Sequence, residues 1–139
     1  MLQKPKEILV VCDGSGQGWG DAAVARYAYM IYEGARKVAE GEGEVGSGRE
    51  MTANVAEYAA VLRAVEALHA GGYEGREVRV RSDSRLVMEQ LGMLCVVRSP
   101  RLAPWHRAVR EAARALEVCY EWVPRAWNQE AHLRAKGER

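Results

Sequence analysis

Asp13, Glu57 and Asp83 are the residues whose type and setting point most directly to chemistry. Asp13 follows the apolar run of residues 8–12 and leads into Gly14-Ser15-Gly16. Glu57 is one of the few charges in the Ala-, Val- and Leu-rich stretch 52–70, and Asp83 follows the alternating run 77–82. Each has an ordinary explanation. Asp-Gly-Ser is good turn chemistry, Asn54 with Glu57 three residues later reads as a capping box, and Asp83 is a natural N-cap. Together they suggest a cluster of hard oxygen ligands at one edge of a sheet. Crowded carboxylates repel one another, so the arrangement makes sense with cations among them. Such ligands suit Mg²⁺ or Mn²⁺. Two such ions side by side stabilise both the attacking and the leaving oxygen when a phosphodiester is cut.

The elements that must position these acids follow from the apolar pattern. Residues 8–12 are apolar without alternation, which suits a central strand buried on both faces. Asp13 then stands at its end, with Gly14 and Gly16 letting the backbone turn and a ligand approach. Residues 22–32 read as a second strand, 33–36 as a hairpin turn, and 37–45 as a weak, solvent-facing third strand. Residues 52–70 form the clearest helix, apolar nearly all round and ended by Gly71-Gly72. A fourth strand at 77–82 and a short helix to about Leu91 come next, then a connection over 92–99. Pro104 suits the first turn of another helix. Along it Trp105, Val109, Ala112 and Leu116 share a face opposite Arg107, Arg110 and Arg114. That basic stripe reads as a solvated face, with a phosphate-tracking face as the alternative. A fifth strand over 118–123, closed by Pro124, and a last helix over 127–136 complete the order β-β-β-α-β-α-α-β-α.

Composition sets the frame. At 139 residues, 48% hydrophobic and 28% charged, the chain reads as one soluble globular domain over residues 1–139. The net charge of +1 means that any polyanion must be met by locally arranged basic groups. Cys12, Cys95 and Cys119 show no CxxC spacing and fit reduced thiols, with Cys12 and Cys119 packed in apolar runs and one bridge left open. No segment resembles a signal peptide or a membrane span. The expectation is a cytoplasmic protein with no membrane partner and no obligate protein partner.

The motifs Asp13-Gly14-Ser15, residues 52–58 (Thr-Ala-Asn-Val-Ala-Glu-Tyr), Ser82-Asp83-Ser84, and Val123-Pro124-Arg125 with Asn128-x-x-Ala131 resemble the type 1 ribonuclease H family in order and spacing over nearly the whole chain. The resemblance implies an α/β ribonuclease H-like fold: a five-stranded mixed sheet, its first three strands antiparallel, flanked by helices. It implies hydrolysis of the RNA strand of an RNA–DNA hybrid with two divalent ions, Mg²⁺ or Mn²⁺. By it, Asp13 bridges both ions, and Glu57 and Asp83 complete the first three of four acidic positions. Thr52 matches a position that grips a DNA phosphate, at a helix start that favours an anion. Asn54 matches one facing the minor groove, where 2′-hydroxyls mark RNA, and the backbone of Gly14 and Ser15 lies against the RNA strand.

This chain departs from the family at the fourth position, where His132 replaces an acid four residues after Asn128. A neutral, softer imidazole suits Mn²⁺ or Zn²⁺ better than Mg²⁺. Alternatively His132 binds nothing and the second ion is weakly held, or Glu130 contributes, although its helical position turns it away. Residues 124–127 lack the histidine many members carry, and Arg125 supplies positive charge there instead. The 92–99 connection is too short for the basic helix with which some bacterial members grip the hybrid, so substrate affinity should be modest and salt-sensitive. Two other readings remain: a hybrid-binding module that has lost turnover through His132, and another nuclease of the wider superfamily, against which Thr52 and Asn54 argue.

Overall fold

The computed structural model describes residues 6–137. Its strands are β1 (Ile8–Gln17), β2 (Val24–Glu33), β3 (Arg36–Ser47), β4 (Glu77–Ser82) and β5 (Glu117–Trp122). They form one sheet in the order β3-β2-β1-β4-β5. The pairs β1–β2 and β2–β3 are antiparallel, whereas β1–β4 and β4–β5 are parallel. With α1 (Ala53–Ala70), α2 (Arg85–Leu91), α3 (Ala103–Ala112) and α4 (Gln129–Ala135), the order is the β-β-β-α-β-α-α-β-α read from the sequence.

β1 is central, as its unbroken apolar start requires, but it does not turn at the glycines. It runs on through Asp13, Gly14, Ser15 and Gly16, paired with β2 as far as Gln17 opposite Val24. Asp13 therefore lies inside a strand and not at its end. The glycines serve closeness instead of turning. A Cβ on Gly14 would sit 2.2 Å from the backbone of Ala56 and Glu57, and one on Gly16 would sit 2.7 Å from the Ala53 nitrogen. The first turn of α1 thus presses directly on β1. The parallel pairing with β4 ends at Val11 opposite Arg81. Asp13 stands just beyond that fork, where β1 keeps β2 and loses β4.

The helix starts also differ from the expectation. Thr52 caps α1, its hydroxyl oxygen accepting the Val55 N–H at 3.2 Å. Asn54 is therefore inside the helix, and Glu57, five residues past the cap, is out of reach of a capping box. Ser84 caps α2 through the Val87 N–H at 3.4 Å, so Asp83 has no capping duty. α3 carries Pro104 in its first turn and stops at Ala112, which leaves the buried Leu116 beyond the helix. A short 3-10 turn over Arg125–Trp127 delays the last helix to Gln129.

The main core lies between one face of the sheet and α1, α2 and α3. Ile8, Val10, Ile31 and Val80 meet Tyr58, Val61, Val65 and Leu68 of α1, Val87 of α2 and Val109 of α3. Each such side chain contributes about 2 kcal/mol when fully buried. The Tyr58 hydroxyl donates to Gln90 Oε1 at 2.5 Å, which satisfies the polar tip inside this core. Alternation sends Asp13 to the opposite face from Cys12 and Gly14. There α4 packs through Ala131 and Ala135, both fully buried. β3 buries none of its residues fully and is the exposed edge expected of it. Cys12 is buried, but Cys119 is exposed, because it alternates onto the face of Glu117 and Glu121; the three cysteines are free.

Candidate active site

Three elements converge on the fork between β1 and β4. Asp13 comes from β1 and is 2% exposed. Asp83 follows β4, and His132 comes from the middle of α4. Each offers a ligand atom, and these atoms all lie within 4.8 Å of one another. His132 Nδ1 is 2.8 Å from Asp13 Oδ2. The Arg125 Nε–H donates to Asp83 Oδ2 at 3.2 Å, and the Trp122 indole N–H donates to the Asp83 carbonyl at 3.2 Å.

Glu57 reaches the same fork from the other face and is 5% exposed. Both its oxygens are engaged. Oε1 accepts the Gly14 N–H at 3.0 Å, and Oε2 accepts the Ser82 hydroxyl at 2.8 Å. Ser82 in turn accepts the Ser84 N–H at 3.1 Å. Glu57 therefore abuts Asp13 but falls outside the compact Asp13–Asp83–His132 group.

Burial first, and then the charge of Asp13, raise the groups beside it. Burial lifts the Glu57 carboxyl well above the usual carboxylate range, and contact with Asp13 adds to the effect against the Gly14 and Ser82 hydrogen bonds. Asp83 is raised by burial and then by Asp13, with Arg125 opposing. The Cys12 thiol is pushed well up by burial first and then by Glu57, Asp13 and Asp83 together. A thiol feeling all three acids at once marks where their fields overlap. Carboxylates that hold protons this firmly gain most from a cation. With two carboxylates and one imidazole nitrogen on facing elements, the donor set fits a divalent metal ion.

The remaining sequence candidates lie around this cluster in different states. Thr52 and Asn54 are half-buried at the start of α1. Ser15 is buried, and Gly14 has already given its N–H to Glu57. Arg125 is exposed and turned onto Asp83. Glu130 points to Lys37 and Arg134, at 3.4 and 3.5 Å, away from the acids. Three contributors carry no role in the sequence reading: Ser82, Trp122 and the side chain of Asn128. Asn128 is 1% exposed, its Nδ2–H donates to the Cys12 carbonyl at 3.0 Å, and its Oδ1 has no hydrogen-bond partner among the described residues. It pins the start of α4 to the residue before Asp13. Ser82 and Asn128 lie inside motifs visible in the sequence, but only the fold shows which atoms they hold.

A family model described as reverse transcriptase-like matches residues 32–137. The chain belongs to the ribonuclease H-like family. Among curated proteins, the bifunctional protein Rv2228c of Mycobacterium tuberculosis is 32% identical over 121 residues, which cover 86% of this chain and 32% of that protein. The chain thus spans about a third of the length of the curated relatives it matches. The solved N-terminal RNase H domain of Rv2228c superposes with a TM-score of 0.83 at 27% identity, covering 95% of this chain and 92% of that one. LC11-RNase H1 in complex with an RNA/DNA hybrid superposes with a TM-score of 0.83 at 25% identity, covering 94% and 95%. Among the described residues, no helix is long and apolar enough to cross a membrane.

Proposed function

We propose that this chain is an endonuclease that hydrolyses the RNA strand of RNA–DNA hybrids with two divalent ions, Mg²⁺ or Mn²⁺. The observation that carries the reading is the gathering of Asp13, Asp83 and His132 donor atoms within 4.8 Å. Similarity to a ribonuclease H solved with an RNA/DNA hybrid supports the substrate class. Asp13, Asp83 and His132 would hold the ions, with Glu57 beside them. When bound, such ions offset the crowded negative charge and stabilise the charge that builds on the phosphate oxygens during hydrolysis.

The chain's own groups supply position. Gly14 and Ser82 fix both oxygens of Glu57. Arg125 holds Asp83 and adds positive charge where the scissile strand lies. Thr52 and Asn54, at the N-terminal turn of α1, face the hybrid. The helix end favours a DNA phosphate, and Asn54 reads the 2′-hydroxyl side of the minor groove. Gly14 and Ser15, one and two residues past Asp13, are the backbone the RNA strand meets. Three free thiols fit a reducing compartment, and the cytoplasm is the place of action in this reading.

A labelled hybrid tests the proposal, with Mg²⁺ and Mn²⁺ in separate reactions and duplex DNA and single-stranded RNA alongside. Cleavage of the hybrid's RNA strand alone, abolished in Asp13→Asn, is the expected result. No cleavage with either ion, or a wild type indistinguishable from Asp13→Asn, overturns it. One observation favours a second reading, a hybrid-binding module with impaired turnover: His132 and Arg125 already contact two of the acids. Hybrid binding without cutting selects that reading, and cleavage of duplex DNA selects another nuclease of the superfamily.

A further inference from the structure

The segment between α2 and α3 is unlike an ordinary surface loop. Met93, Leu94 and Val96 are 60%, 77% and 73% exposed, and Cys95 between them is exposed as well. A contiguous exposed apolar strip of this kind marks an interaction site. The same four residues wall a cavity of about 460 Å³, completed on the α3 side by His106 and Arg107. Met93 also holds φ at 63°, in the left-handed region, where no other non-glycine among the described residues is found. That conformation closes α2: the Met93 N–H donates to the Gln90 carbonyl at 3.2 Å and the Leu94 N–H to the Glu89 carbonyl at 2.8 Å, and the cap turns the Met93 and Leu94 side chains out into solvent. Arg98 and Arg101 on this strap and Arg107 on the adjoining turn of α3 are exposed, and none of them engages a carboxylate among the described residues.

We propose that the strap docks a protein segment that combines large apolar side chains with carboxylates. The apolar groups fill the cavity and cover Met93, Leu94 and Val96, while the carboxylates meet the three arginines. A nucleic-acid strand fits less well. It would neutralise the arginines but set phosphates against the apolar strip, and the one ring lining the cavity, His106, is already engaged with the Gln90 carbonyl and the edge of Tyr58. A second copy of the chain fits less well too, because a two-fold contact brings the arginines towards one another. α2 leads away from Asp83 for seven residues, roughly 10 Å of helix at about 1.5 Å per residue. Docking at the strap therefore leaves the acids free.

The test uses the whole protein and short fluorescein-labelled peptides of three compositions: leucine with aspartate, leucine with lysine, and serine with aspartate. Fluorescence anisotropy without divalent ions reads binding independently of any cleavage, with a labelled hybrid as a separate probe. Leucine–aspartate peptides are expected to bind, and the other two compositions are not. Leu94→Glu and Val96→Glu should each weaken that binding by about tenfold or more, with melting temperature and hybrid binding unchanged, and Arg107→Gln should weaken peptide binding as well. Equal binding of leucine–lysine peptides, or binding that survives both Leu94→Glu and Val96→Glu, overturns the proposal. So does loss of hybrid binding in Leu94→Glu, which would make the strap a nucleic-acid surface. A dimer that Leu94→Glu dissociates in sedimentation overturns it as well, in favour of a second copy.

Discussion

α1 and α4 approach Asp13 from opposite faces of the sheet, and they do so with very different security. α1 has 18 residues and buries ten of them. It touches β1 with no room for a side chain at Gly14, and it delivers Glu57 with both oxygens hydrogen-bonded. α4 has seven residues and buries only Ala131 and Ala135. It is pinned through Asn128 and by the pairing of Glu130 and Arg134 with Lys37 and Glu40 of β3, and among the described residues the His132 ring makes one hydrogen bond, to Asp13 itself. One side of the site is built before any ligand arrives. The other rests on a short helix whose His132 ring is held by one hydrogen bond among the described residues. Glu57 is thus the firmly held group and His132 the loosely held one, and His132 is where the sequence departs from its family.

Gly14→Ala should break the firm side most severely. The added carbon meets backbone at 2.2 Å, so α1 must shift and take Glu57 with it. A loss of about 3 kcal/mol of stability or more is expected from such overpacking, with hybrid cleavage abolished; melting and cleavage assays measure both. A variant that melts and cuts like wild type means the two elements are not locked together.

Ser82→Ala and Asn128→Ala compare the two anchors directly. The first removes a hydrogen bond to Glu57 and should lower cleavage by about tenfold or more, the usual cost of losing an outer partner of a ligand group. Asn128→Ala should instead cost about 1 kcal/mol in melting, with a smaller fall in cleavage, because α4 loosens while Glu57 stays held. The reverse ranking would mean that α4 is the better-fixed side.

His132→Asp sharpens the comparison at the loosely held side. Replacing the imidazole by a carboxylate should raise the Mg²⁺-dependent rate several-fold and change the Mn²⁺ rate less, read in parallel steady-state assays. An unchanged or lower Mg²⁺ rate shows that the imidazole is already suited to this position.

Acidity gives a smaller effect. Glu57 and Asp83 both hold protons more tightly folded than unfolded. Their contribution to stability is therefore fully present below the ordinary carboxylate pKa of about 4 and is lost as pH rises through their raised values. Melting temperature without divalent ions should fall across that window, and Mn²⁺ should flatten the fall by stabilising the charged forms. A profile that Mn²⁺ leaves unaltered speaks against a cation among these acids. The least disturbance is expected at Cys12, whose buried thiol is held protonated. Native protein should expose Cys95 and Cys119 to a thiol reagent, and Cys12 should react only after unfolding. Rapid labelling of Cys12 would show that the fork opens.

Element types and their order were legible because periodicity is local. Residues 77–82 alternate and form β4, and the apolar density of 52–70 forms α1. The three acids were legible as candidates for the same reason, each standing beside a recognisable element. What misled at sequence level was local as well. Asp13-Gly14-Ser15 has turn chemistry, and Asn54 and Glu57 have the spacing of a capping box, yet neither motif is used that way. A local signal cannot report that α1 will press against β1.

The sequence by itself thus determined the alternation of strands and helices, the apolar faces and the identity of the charged groups, since these depend on neighbours a few residues apart. Only the tertiary structure decided that Gly14 makes room for Glu57, that Ser82 and Asn128 act as anchors, and that His132 lies 2.8 Å from Asp13. Those relations join residues up to 119 positions apart. They are set by how the α1 and α4 faces close on the sheet, a packing geometry that no short stretch of chain encodes.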